Sequence, residues 1–256
     1  MLKFFRRIRR RLIDEGNLKR YLIYAVGEIL LVVIGILIAL SINNWNQEKL
    51  SRQKEHLVLK SLKEDFLSNQ GELDSTLRSL PVDLKRLHFS SQYFGIKEDT
   101  LSKPAKESII NCPVIITDII DGTLNSVLNT DKLELIQNDT LKQLLTRYPS
   151  QVRKFKQQEE IYIKIIIEVQ RPLLEKYLSL YELPKDILSL MNLKPSVRTE
   201  KNRAQSDYIG ILNDITYQNT VINRIFNTQV HLNNITVLKE HTSGILQLIE
   251  RELGGL

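Results

Sequence analysis

Four histidines, one cysteine and a scatter of carboxylates are the residues of this chain whose types can do chemistry. His56, His88, His231 and His241 are spread along its length, with no HExxH motif or other ligand spacing among them. His231 and His241 stand ten residues apart, nearly in phase on one helix, yet all four read as satisfied surface side chains. Cys112 is alone, so no intrachain disulfide forms. Its place before Pro113 permits intermolecular pairing or a reactive thiol, and an ordinary buried thiol is the preferred reading. Glu64 with Asp65, Asp118 with Asp121, and Glu159 with Glu160 sit among lysines, where solvated charge is the default. GxSxG, P-loop, GxGxxG and EF-hand patterns are missing, so no catalytic residue, metal ligand or cofactor is assigned. Tyr148, Tyr162, Tyr177, Tyr181, Tyr208 and Tyr217 fit a pocket between helices and fit a bundle core equally well.

One further titratable group stands in a setting of its own. Residues 21–42 carry one charge, Glu28, in an otherwise mostly apolar run, and about 20 apolar residues suffice to cross the hydrocarbon core. A carboxylate inside a span is a functional hypothesis by default. Ala25, Glu28, Val32, Gly35 and Ala39 follow at alternating steps of three and four, so they share a helix face rich in small residues. Such a seam suits close approach of a second helix, from another copy or another membrane protein. Protonation in place, a reach toward the inner headgroups, or pairing with Lys19 or Arg20 are the plainer alternatives for Glu28. Ala39 and Ser41 would suit a signal-peptidase cut, but the apolar run exceeds a signal core. Tyr21 and Tyr24 on one side and Trp45 on the other supply interfacial anchors, so a retained span is expected.

Residues 1–20 carry Lys3, Arg6, Arg7, Arg9, Arg10, Arg11, Lys19 and Arg20 against Asp14 and Glu15. The chain's net charge of +6 is therefore a property of this arm, and the chain beyond the span is near neutral. Basic charge beside a span argues for a cytoplasmic arm and a translocated C-terminal domain rather than for nucleic acid. The expected address is the cell inner membrane, crossed once, with the bilayer itself as a partner. Leu2, Phe4, Phe5, Ile8, Leu12 and Ile13 alternate with the arginines, so the arm also has the pattern of a lipid-surface helix.

Tyr24-Ala25-x-Gly27-Glu28-Ile29, Gly35-Ile36-x-Ile38-Ala39-Leu40 and Ile42-Asn43-Asn44-Trp45-Asn46 together resemble the start of a family of uncharacterised bacterial single-pass membrane proteins. A weaker similarity covers residues 124–148. The resemblance implies membrane placement and helical architecture, and it brings no activity or site residues.

The elements that must carry all this are helices. Leu59, Phe66, Leu73, Leu80 and Leu87 recur every seven residues, with Leu62, Leu77 and Leu84 beside them, predicting a long amphipathic helix. Gly71 weakens it and Pro81 is expected to kink or restart it. Residues 97–113 read as a polar connector, and β-branched 114–120 as a short helix for want of a partner strand. Asn138 is a candidate N-cap for a helix from 141 to about 181, marked by Pro149 and Pro172. Its segment 161–169 is the most apolar beyond the span and is expected at the centre of the core. Pro184 and Pro195 bracket a loop with a helical turn at 186–191. Polar 196–206 leads to a last helix, from 207 to about 253, stopped by Gly254-Gly255. The expected fold is all-α: an arm (1–20), one transmembrane helix (21–42), then a bundle of four or so long helices (43–256), with bundle and coiled-coil packing both open.

Three functions fit this frame. A membrane-anchored interaction or scaffold module comes first. A ligand-sensing extracytoplasmic domain acting through a membrane partner comes second, and an unrecognised envelope enzyme third.

Overall fold

A computed structural model describes residues 18–183, 185–190 and 205–254. Arg6, Arg7, Arg9, Arg10, Arg11, Pro184, Pro195 and Gly255 lie outside the described residues, as do the side chains of Arg20, Tyr21 and Tyr24. The described residues are helical or irregular, with no strand among them. Two compact units, Met1–Leu57 and Val58–Leu256, divide the chain.

The first unit contributes the start of α1 (Leu18–Ser91, 74 residues). Its apolar side chains point outward on every side, with Ile23 at 67% and Leu31 at 70% exposure. A helix that is hydrophobic all round needs an apolar surrounding. This stretch is long and apolar enough to cross a bilayer.

In the second unit α1 continues through Gly71 and Pro81 without restarting. The expected break does not occur. Leu80, Asp83 and Leu87 are buried around the proline, so tertiary packing outweighs the single backbone bond it removes. The predicted heptad holds: Leu59, Phe66, Leu73, Leu80 and Leu87 are all buried. After α2 (Lys103–Ile110), α3 (Gly122–Leu128) and α4 (Lys132–Leu135) comes α5 (Asp139–Lys164). Asn138 caps it as expected, its side chain accepting the Leu141 N–H at 2.9 Å. The helix widens into a π segment, Ile165–Gln170, before α6 (Arg171–Tyr177). A 3₁₀ turn (Leu180–Glu182) and α7 (Lys185–Leu190) follow.

The last predicted helix is split into α8 (Tyr208–Asn213) and α9 (Ile215–Gly254). Asp214 makes the break. It accepts the Thr216 N–H at 2.7 Å and the Tyr177 hydroxyl at 2.9 Å, so its side chain restarts the helix while tying it to α6. Among the described residues, three long helices, α1, α5 and α9, carry most of the core. α5 and α9 pack against each other, and Phe66 of α1 meets Tyr148 of α5 with ring centroids 4.9 Å apart.

Residues 111–121, expected to include a short helix, form an irregular strap instead. Side chains take over its backbone hydrogen bonds. Asn69 accepts the Ile120 N–H at 2.7 Å and donates to the Ile120 carbonyl at 2.8 Å. Glu159 accepts the Thr117 N–H at 2.8 Å, and Lys156 donates to the Thr117 carbonyl. Thr76 and Thr117 share a hydroxyl bond at 2.9 Å. Buried backbone groups need partners, and here the helices supply them. Asn69→Leu strips two of these bonds and is expected to cost about 2 kcal/mol. Limited proteolysis checks this: the variant is expected to be cut within 111–121 before any helix is cut, whereas an uncut strap would show that Asn69 does not hold it.

Candidate functional site

On α1, Ala25, Glu28, Val32, Gly35 and Ala39 lie within continuous helix, as their spacing requires. Ala25 and Glu28 are half-exposed and the other three exposed. A Cβ added at Gly35 would meet nothing within 4 Å, so the face is open at its smallest residue. Trp45 is 67% exposed, with the Lys49 ammonium 5.9 Å from its ring centroid.

In the second unit the chemistry-bearing residues converge on a polar seam inside the core. Asn69, Thr76, Asp83 and Ser90 recur every seven residues along α1, and all four are buried. At Asp83 the seam becomes ionic. Its Oδ1 accepts from Arg86 Nε at 3.0 Å and Nη2 at 2.6 Å, while Oδ2 accepts from Arg224 Nη2 at 2.5 Å. Arg224, on α9, is fully buried, and its Nη1 also donates to Gln170 Oε1 at 2.6 Å. The same Nη1 lies 3.5 Å from the Cys112 sulfur. Arg86 is itself held by the Ser108 carbonyl at 2.7 Å. Two guanidinium groups thus share one carboxylate, leaving one surplus positive charge in a cluster where Arg224 is fully buried and Arg86 partly so.

The π segment explains how Gln170 reaches this cluster. Tyr162, Ile166, Gln170 and Leu174 are buried at steps of four. In a regular α-helix each such step rotates about 40° off the starting face. The wider turn, in which the Arg171 N–H bonds the Ile166 carbonyl, cancels that drift and keeps all four inward. Ile167 and Val169, expected in the core, lie on the other side of this turn and face outward, as does Ile161 on α5.

Further along α9, His231 is fully buried between Phe155 and Tyr162, stacked on both at centroid distances of 5.2 and 5.4 Å. This corrects its reading as a surface histidine. Neither ring nitrogen meets a hydrogen-bond partner among the described residues, and burial pushes its pKa down to about 4. His56 and His88 are exposed and His241 half-buried, and the described residues hold no cluster of three metal-type ligands. Glu159 is likewise buried rather than solvated: besides the Thr117 N–H it accepts from Lys156 at 2.7 Å. Its neighbour Glu160 is exposed and pairs with Lys164.

Beside the ionic cluster lies a cavity of about 620 Å³. Ile110, Val114, Leu174, Leu183, Ile187 and Leu188 give it an apolar wall, and Cys112 lines it on the side that touches Arg224. Arg171, Glu175 and Tyr181 are its exposed polar groups. Burial pushes the Cys112 thiol pKa up, so the sulfur is protonated at neutral pH and reacts slowly. Of the six tyrosines weighed for a pocket, Tyr181 lines this one. Tyr148, Tyr162, Tyr208 and Tyr217 are core, and Tyr177 is half-buried against Asp214.

The sequence reading missed Asp83, Arg86, Arg224 and Gln170 altogether. A signal was present: the polar residues of α1 share the seven-residue period of its leucines.

A model of a family of unknown function (DUF6090) matches residues 28–102, the stretch that runs through most of α1 and the turns after it. The match supports kinship with an uncharacterised family over less than a third of the chain. No curated protein and no solved structure matches.

Proposed function

We propose that this chain is a membrane-tethered helical module that works by associating with another protein. Its span sits in the cell inner membrane, with the basic arm cytoplasmic and the helical domain on the far side. The observation that carries the reading is the outward face of α9. Ile215, Ile222 and Phe226 fall within about 40° of arc on that helix, and they are 65%, 55% and 65% exposed. Clustered apolar side chains left in water mark an interaction surface, since covering them is favourable. The small-residue face of the span offers a second surface suited to helix pairing, and the charge of the arm supports the orientation.

In-cell crosslinking of the full-length tagged protein in native membranes tests this, beside Phe226→Asp and Glu28→Leu. A discrete crosslinked species is expected from the native chain. Twice the chain mass would name a second copy, and any other mass a different partner. Loss in Phe226→Asp places recognition on α9, and loss in Glu28→Leu places it in the span. A native chain recovered only as monomer would sink the proposal.

A further inference from the structure

We propose that the cavity between α6, α7 and residues 110–114 is a binding site for an amphiphile with an apolar body and an anionic head. Its size lies within the range of small-molecule sites, about 300–1,000 Å³, and its mix of apolar wall and few polar groups is the usual composition of one. The sign of the head follows from a count of charges. Arg171 and Glu175 on the wall offset each other. Behind Cys112, Asp83 serves both Arg86, which is partly buried, and Arg224, which is fully buried, so the cluster carries one positive charge more than its carboxylate offsets.

Arg224 is fully buried and its Nε–H finds no acceptor among the described residues, nor does the Nε2 of Gln170. A buried cation without full compensation is costly, and an anion brought close to it recovers part of that cost. Arg224 Nη1 lies 3.5 Å from the Cys112 sulfur on the cavity wall, so the positive end of the cavity is the end nearest the cluster. A carboxylate on a free hydrocarbon chain and the phosphate of a membrane lipid share this chemistry.

Cys112 is the chain's one cysteine, so every thiol adduct reports on the cavity wall. The experiment follows N-ethylmaleimide labelling of the full-length protein in phosphatidylcholine nanodiscs at mildly alkaline pH. Decanoate, decanol and decyltrimethylammonium are compared as probes. Decanoate is expected to slow labelling at least about fivefold and saturably, with little effect from the other two. Arg171→Gln, an exposed change that leaves the Glu175 carboxylate unopposed on the wall, is expected to raise the half-saturating decanoate concentration about tenfold. Val114→Trp fills the cavity and is expected to slow labelling with no probe present. Discs containing phosphatidylglycerol separate the sources: protection without decanoate assigns the head to a membrane lipid, and protection only with decanoate to a free chain. Equal protection by all three probes would overturn the anionic class. No protection by any, or a thiol that labels in urea but never in the native protein, would overturn the site.

Discussion

Asp83→Leu is expected to be among the most damaging single substitutions in the chain, lowering stability by about 3–5 kcal/mol. The native carboxylate is bound by Arg224 on one oxygen and by Arg86 on the other, with Asp83 and Arg224 both shut away from water. Removing it leaves Arg224 fully buried with the neutral Gln170 carbonyl as its acceptor. A domain of this size has roughly 5–15 kcal/mol of stability in all, so the loss is a large fraction. Arg224→Met is expected to cost less, because Asp83 keeps both bonds from Arg86. The double variant is expected to be more stable than Asp83→Leu alone, since the orphaned cation goes with its partner. Urea unfolding of the full-length protein followed by circular dichroism gives the four corners of the cycle. Additive losses would mean that the two side chains do not form a buried pair.

That cluster also shows where sequence reasoning stops. The period of Leu59, Phe66, Leu73, Leu80 and Leu87 is a local pattern, and the helix it predicts is present with those residues inside. The cap at Asn138 is equally local, since its partner is three residues away. Asn69, Thr76 and Asp83 repeat with the same period, but polarity alone argues for a solvated face. They are buried because Ile120, Thr117 and Arg224 complete them, at separations of 51, 41 and 141 residues. No local pattern carries those partners.

Residues 114–120 failed as a predicted helix for the same reason. Their β-branched side chains suit an extended backbone, and the strand partner that was missing from the sequence is replaced by side chains of α1 and α5. The apolar run 161–169 misled differently. Tyr162 and Ile166 are core as its hydrophobicity implies, but Ile161 faces outward on α5, and the π turn, which keeps Ile166 and Gln170 inward, has Ile167 and Val169 outside. Outward Ile215, Ile222 and Phe226 belong with them: apolar residues in helical phase do not reveal which face of the helix they occupy.

Acid should destabilise the domain through His231, and the effect should disappear with that side chain. The imidazole is stacked between Phe155 and Tyr162 with no hydrogen-bond partner among the described residues to hold a proton, and burial lowers its pKa from 6.5 to about 4. The neighbouring Glu159 carboxylate opposes that fall and the Lys156 ammonium adds to it. An unfolded chain binds the proton near pH 6.5, and the folded one does not until near pH 4. Between those values the unfolded state holds more protons, so stability is full above the window and falls as pH drops through it. The loss reaches about 3 kcal/mol at the lower end, from 1.36 kcal/mol per pKa unit. His231→Leu abolishes this contribution while carboxylates elsewhere titrate as before. Urea midpoints at pH 7.5 and pH 4.5 are therefore expected to separate more for the native chain than for the variant. At pH 7.5 the variant is expected to match the native chain closely, because an apolar side chain leaves no orphaned nitrogen in the stack. Equal acid sensitivity in both proteins would mean that His231 takes up its proton in the folded state near its ordinary pKa, which an imidazole closed between two rings cannot do without opening the α5–α9 packing.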